Sequence, residues 1–359
     1  MKWKLLLSVS VLGCLAVPAG VGIHAQAPTF ASATVSDPGT LAGGTFHQPV
    51  RLASSDDRDA LVFGWSGAHR NMYRRELVTP MLGQRTFADR GTRQVEGSAS
   101  NRANRVVYVI TGRSEFGALD LGSGTFLPIG PVPTDLGGGL VPGLGGSLLS
   151  LSFNGNLTAI DPATGRTSVV GRTGLVDCST PSSPCGPNSA NAFGRLDGTL
   201  YATDFANNLY SVDAATGLAT LIGPTGKIPP IDFVPFSANA DGTLNVYSES
   251  LFSVRGRLYA TFGTAALDPE TGMATDVIAG ALYEIDRQTG EATLIGPTDT
   301  HLTSVVNVSD TVYAFDAATR QVVLLDIATG VIMPITDLDR SIGVIAGATA
   351  AHPVQLGRR

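Results

Sequence analysis

Charge is scarce in this chain of 359 residues: Asp, Glu, Lys and Arg together make up 15%, well below the roughly 25% of an average soluble domain. The 24 basic side chains are outnumbered by 30 acidic ones, a net charge of −6, so a nucleic acid held through its phosphates is not expected as a partner. Histidine is rare too. His24, His47, His69, His301 and His352 never fall as a pair on one element, which leaves a His-rich metal centre without support. No Gly-x-Ser-x-Gly elbow occurs, so a triad-type nucleophile has none either. Beyond the first residues no stretch approaches the ~18 uninterrupted apolar residues that cross a bilayer, and no transmembrane segment is expected.

Cysteine is limited to Cys14, Cys178 and Cys185. The first lies in an N-terminal stretch with the marks of an export signal: Lys2 and Lys4, the apolar Leu5 to Val17, then small residues. The best cleavage site is Ala25-Gln26-Ala27, so residues 1–27 are read as a signal peptide and the mature protein as secreted or periplasmic. Cys14 sits inside the apolar run, which argues against a lipid attachment there. Cys178 and Cys185 remain after cleavage, separated by six Ser, Thr and Pro residues. In an exported chain they are expected to form one local disulfide.

What the chain has in abundance is turn material, 43 Gly and 21 Pro, with 43% apolar residues to fill a core. One phrase recurs: Ile160-Asp-Pro-Ala-Thr-Gly165, Val212-Asp-Ala-Ala-Thr-Gly217, Ile285-Asp-Arg-Gln-Thr-Gly290 and Leu325-Asp-Ile-Ala-Thr-Gly330, with a looser copy from Leu119 to Gly124. An apolar strand ends at Asp, whose carboxylate accepts backbone N–H groups of the turn. Gly then supplies a positive φ, and a strand such as Ala219-Thr-Leu-Ile222 follows. A second phrase precedes it: Gly198-Thr-Leu-Tyr-Ala-Thr203, Gly256-Arg-Leu-Tyr-Ala-Thr261 and Asp310-Thr-Val-Tyr-Ala-Phe315. The shorter spacings match the ~40 to 45 residues of a four-stranded propeller blade. The fold class is therefore all-β: a β-propeller of about six blades, with five and seven open. Residues 100–353 carry the repeats, 28–99 are an N-terminal segment able to supply the first blade or blades, and 354–359 are a tail. The strand from Ile342 to Thr349 is expected to pair with the N-terminal region and shut the ring.

These turns and Leu/Val-Tyr-Ala strands resemble the secreted bacterial propeller repeats grouped with quinoprotein-like and NHL/YVTN-like propellers. The resemblance spans roughly residues 100–350 and implies architecture only, since those groups hold binding scaffolds, lyases, hydrolases and dehydrogenases. The quinoprotein dehydrogenases carry Trp-bearing motifs in most blades. Here Trp3 lies in the signal and only Trp65 remains, so that activity is disfavoured.

The seven Asp-x-x-Thr/Ser positions (Asp120, Asp161, Asp213, Asp268, Asp286, Asp316 and Asp326) are read as structural, because identical turns point each carboxylate at its own blade. The Gly-rich run 137–146 is read as a flexible inter-blade connection, Ser54 to Asp59 as an exposed acidic turn rather than a Ca²⁺ loop, and the eight Arg between 70 and 105 as a solvated face. The strongest hint of function is positional, since long loops on one face of a propeller carry recognition. The insertion 227–250 holds Asp232, Phe233, Phe236, Tyr247 and Glu249, a mix suited to sugar or peptide contact. The expectation is a monomeric, exported, non-catalytic propeller without cofactor or metal, binding an extracellular polymer or protein through these loops. The alternative is a propeller hydrolase or lyase acting on a polysaccharide.

Overall fold

A computed structural model describes residues 51–52, 60–66, 74–79, 85–90, 95–101, 106–111, 115–119, 126–133, 136, 140–152, 155–175, 190–204, 206–229, 239–268, 274–308, 310–337 and 345–351. Cys178 and Cys185 lie outside them, as do the acidic turn 54–59 and most of the 227–250 insertion before Asn239.

The described strands make six antiparallel sheets, here blades I to VI, and the protein is a β-propeller. Blade I holds Arg51–Leu52, Ala60–Ser66, Arg74–Thr79 and Arg85–Arg90; blade II holds Val95–Asn101, Val106–Thr111, Glu115–Leu119 and Phe126–Pro131. Blade III holds Leu140–Pro142, Leu148–Leu151, Asn156–Ile160 and Thr167–Arg172; blade IV holds Ala190–Leu196, Thr199–Asp204, Asn208–Val212 and Ala219–Pro224. Blade V holds Leu244–Val254, Arg257–Leu267, Ala274–Ile285 and Ala292–Pro297; blade VI holds Leu302–Val308, Thr311–Asp316, Gln321–Leu325 and Ile332–Asp337. The last strand, Ile345–Ala351, pairs antiparallel with Ala60–Ser66 and completes blade I. The ring is thus closed by joining the two ends of the chain within one sheet, as the sequence predicts. Ile345–Ala351 lies beside the first strands of blades VI and II, and the first strands of blades II and III, IV and V, and V and VI lie side by side. Between blades III and IV, Arg195 Nη1 donates to the carbonyls of Pro142 and Gly143. One expectation is corrected here: the Gly-rich run is not only a connection, because Leu140–Pro142 is the first strand of blade III.

The recurring phrase builds the rim. Each turn carboxylate accepts backbone N–H groups, as when Asp213 Oδ1 takes those of Ala215 (2.7 Å) and Thr216 (3.1 Å). The turn glycines Gly165, Gly217, Gly290 and Gly330 have φ between 70° and 82°. Each meets the glycine near the end of the preceding blade's last strand: a Cβ on Gly217 would lie 2.8 Å from Gly171 O, and one on Gly290 2.6 Å from Gly223 O. The residue just before that strand glycine is bulged in blades II to V, and in blade VI Ile335 is bulged before Thr336. The extra residue sharpens the local twist and turns Ile129, Val170, Ile222 and Ile295 onto the inter-blade cores. One twelve-residue phrase thus encodes a turn, a bulge and an inter-blade contact.

Candidate functional site

Strands alternate in direction, so the start of a blade's first strand and the turn between its second and third strands lie at the same end. In blade IV that turn is set by Asp204, which is fully buried. Its Oδ1 accepts the N–H groups of Ala206 (2.9 Å) and Asn208 (2.8 Å). Its Oδ2 accepts Asn208 Nδ2 and the Tyr210 hydroxyl, both at 2.9 Å. Burial, with the hydrogen bond and charge of Asp204 added, pushes the Tyr210 hydroxyl up to about 12. Blade VI repeats the device: Asp316 accepts the N–H of Ala318 (2.8 Å) and the hydroxyls of Thr319 (2.6 Å) and Thr300.

Blade V has Phe262 at the equivalent place. With no carboxylate there to turn the chain, the strand runs on to Leu267, just before Asp268-Pro-Glu-Thr-Gly272. Its first three strands are 11, 11 and 12 residues long, against 7, 6 and 5 in blade IV. The result is a three-stranded arm rising from one face, paired from Leu244↔Leu267 through Glu249↔Phe262 and from Phe262↔Ala281 to Leu267↔Ala274. The fourth strand of blade V pairs only with Ala281 to Ile285, so among the described residues Thr275 to Ala279 form an edge without a fourth strand beside them. Two bulges interrupt that edge, a device that blunts strand addition, and Asp276 is exposed on it.

The root of the 227–250 insertion is fastened to blade IV. Asn207, at φ 59°, accepts Thr225 N–H on its carbonyl (2.9 Å), and its Nδ2 donates to Pro229 O at 2.6 Å. Ile228 is buried against Leu196, Tyr201 and Leu209. Lys227, the only lysine beyond residue 4, stands exposed between these anchors.

Of the five residues singled out by sequence, Asp232, Phe233 and Phe236 lie outside the described residues. Tyr247 and Glu249 are not on a loop: they sit on the first strand of blade V. Glu249 is 7% exposed and accepts the Thr203 hydroxyl of blade IV at 2.8 Å, tying the two blades together beneath the arm. Sequence reasoning missed the other flank. His301 immediately precedes the first strand of blade VI and is fully buried, with neither ring nitrogen hydrogen-bonded. Desolvation holds it down to about 4 despite the opposing pull of Asp316. Thr261 Oγ1, on the second strand of blade V, is likewise buried and unpaired. Among the described residues no group of three or more His, Cys, Asp or Glu is placed to hold a metal ion.

The exposed rim carboxyls behave differently. Thr164 holds Asp161 below its ordinary value, and backbone N–H groups do the same for Asp213, Asp286 and Asp326. Asp316 departs from the reading that made all seven Asp-x-x-Thr/Ser turns alike, for it is buried at the arm end of blade VI and not at the rim.

No protein-family model matches the chain, and no curated protein matches it in sequence. Solved structures do match. A chain of the nidogen/laminin complex superposes with a TM-score of 0.51 at 16% identity, covering 81% of this chain and 98% of that one. A protein of unknown function from Bacteroides caccae gives 0.49 at 10% identity, over 82% and 98% of the two chains. Virginiamycin B lyase from Staphylococcus aureus gives 0.45 at 11%, over 84% and 97%. At 16% identity the likeness to the nidogen/laminin chain bears on the fold alone.

Proposed function

We propose that the protein is an exported, non-catalytic β-propeller that binds an extracellular polymer or protein on the face from which blade V rises. The arm carries this reading: three strands overrun the scaffold at one end, beside an insertion whose root is fastened by Asn207 and Thr225. A fastened root lowers the ordering cost of a recognition loop. The buried carboxylates near the face, Asp204, Asp316 and Glu249, each accept hydrogen bonds that hold turns or blades in place. That employment fits a scaffold better than an acid–base pair. The bulged arm edge favours recognition by side chains over strand addition.

Thr203↔Leu209 in blade IV and Thr261↔Leu282 in blade V are equivalent pairs, which defines the test. Replacing residues 262–281 by the blade IV turn, Asp204 to Asn208, should leave a folded ring without the arm. On arrays of polysaccharides and secreted proteins, the exported wild type should retain a ligand that the armless variant loses. Equal retention by both overturns the placement on this face, and release of oligosaccharides by the wild type overturns the non-catalytic reading.

A further inference from the structure

The seam between blades V and VI carries a buried ionisable ring connected to the arm. Residues 298–301 cross from one blade to the next. Thr298 N–H donates to Gly280 O of blade V at 2.9 Å, and a Cβ on Gly280 would fall 2.1 Å from Thr300 O, so the crossing lies directly on the third strand of blade V. The carbonyl of His301 then accepts Ala317 N–H at 3.0 Å, and the carbonyl of Ala317 accepts Ala274 N–H at 3.3 Å. Ala274 is the first described residue of the arm's returning strand. A hydrogen-bond relay therefore runs from His301, through the Asp316 turn, to the arm.

We propose that His301 is an acid-operated latch: neutral, it seats the 298–301 crossing and holds the arm of blade V against blade VI; protonated, it leaves the seam and frees the arm.

The physics follows from what surrounds the ring. It is fully buried with both nitrogens unpaired, a setting in which an added proton brings a charge without an acceptor. Asp316, on the second strand of blade VI, is the carboxylate that acts on it. Its oxygens are already engaged by Thr300, Ala318 and Thr319, so it can take the imidazolium only by giving up the turn that presents Ala317. Asp299, on the crossing itself, is exposed. Blade V contributes Gly280 and the unpaired Thr261 hydroxyl to the seam, and the arm's Asp276 is exposed. Protonation therefore acts on the relay at its His301 end. The latch stands on the geometry of this seam and is independent of what the arm binds.

Amide hydrogen exchange tests it, because the relay donors are themselves reporters. In the exported protein, the protection of Ala274 and Ala317 N–H, corrected for the intrinsic chemical rate, should fall about ten-fold or more between pH 7 and pH 4.5. The rim donors Gly217 and Gly290 N–H, which bond Asp213 O and Asp286 O, should keep theirs. His301→Phe, a non-ionising ring, should hold Ala274 and Ala317 protected at both pH values, and His301→Gln serves if the larger ring does not fit. Unchanged protection in the wild type overturns the latch. So does equal loss at rim and relay, which reports global opening, and so does the same acid loss in the variants.

Discussion

Blade IV ends its second strand at Asp204, whereas blade V has Phe262 there and continues to Leu267. At the rim the same two blades are interchangeable: Gly217 and Gly290 have φ of 79° and 82°, and each rests on a glycine of the blade before it. The difference shows where a repeat protein can afford novelty. The blade-to-blade contacts at the rim turns stay constant, while the ends of the second and third strands differ in length and in the contacts they make. The largest effects of mutation should therefore come from what the two blades share.

Gly217→Val and Gly290→Val should each cost about 3 kcal/mol or more, because a β-branched residue is strained at positive φ and its Cβ also meets a carbonyl of the neighbouring blade. Gly256→Val is the control. Its φ is 73° but nothing lies within 4 Å of the added Cβ, so it should cost only about 1 to 2 kcal/mol. Urea unfolding of the three variants decides. Equal losses would show that the rim contact contributes nothing beyond backbone strain.

The flanks of blade V should separate from the rim on acidification. The folded-state value of His301 is depressed from 6.5 to about 4, so the unfolded chain takes up its proton first and stability is lost as pH falls from 6.5 through 4. The full loss is roughly 3 kcal/mol. The rim carboxyls are also depressed, from 3.8, and their contribution disappears only below that value. Stability measured from pH 7 to pH 3 should fall in two stages. A flat profile between pH 6.5 and pH 4.5 would contradict the burial of a neutral ring.

Asp204→Ala should come next, at about 2 kcal/mol, since it leaves the Tyr210 hydroxyl and two turn N–H groups without an acceptor in a buried setting. Asp213→Ala, at an exposed rim turn of the same blade, should lower the unfolding midpoint by clearly less. A larger loss at Asp213 would reverse the ranking of the two turns.

The repeating part was legible because each phrase contains its own contacts. The Asp, the Gly of positive φ and the strand glycine are all local, and the ring follows from their repetition. Asp316 was misread because Asp316-Ala-Ala-Thr-Arg320 copies Asp213-Ala-Ala-Thr-Gly217 in all but its last residue. That last residue was the available signal. Arg320 takes φ 59°, whereas each rim glycine lies against a glycine of the preceding blade that leaves no room for a side chain. Phe262 in place of Asp204 and Asp316 was equally visible once the Leu/Val-Tyr-Ala strands were aligned. The burial of Glu249 and His301 was not, because it depends on which blade lies opposite, and no single phrase carries that.

The smallest effect compares the turns between first and second strands. Blade IV uses Asp197-Gly198 and blade V uses Arg255-Gly256, with φ of 49° and 84° in one and 50° and 73° in the other. Asp and Asn accept such a φ readily and Arg does so at a cost of several tenths of a kcal/mol or more. Arg255 recovers part of that through Arg255 Nε to Asp310 Oδ2, 2.9 Å apart, on side chains 66% and 57% exposed. Exposed pairs of this kind contribute about 0 to 1 kcal/mol and are screened by salt. The two terms nearly cancel, so Arg255→Asn should change stability by less than about 0.5 kcal/mol, while Arg255→Ala, which loses the pair and gains no turn preference, should cost about 1 kcal/mol. Chemical denaturation at low and high salt separates the terms: the Ala deficit should shrink with salt and the Asn value should rise. A loss above about 1 kcal/mol in Arg255→Asn that persists in high salt would mean that the arginine stem, and not its charge or its turn, holds blade V to blade VI.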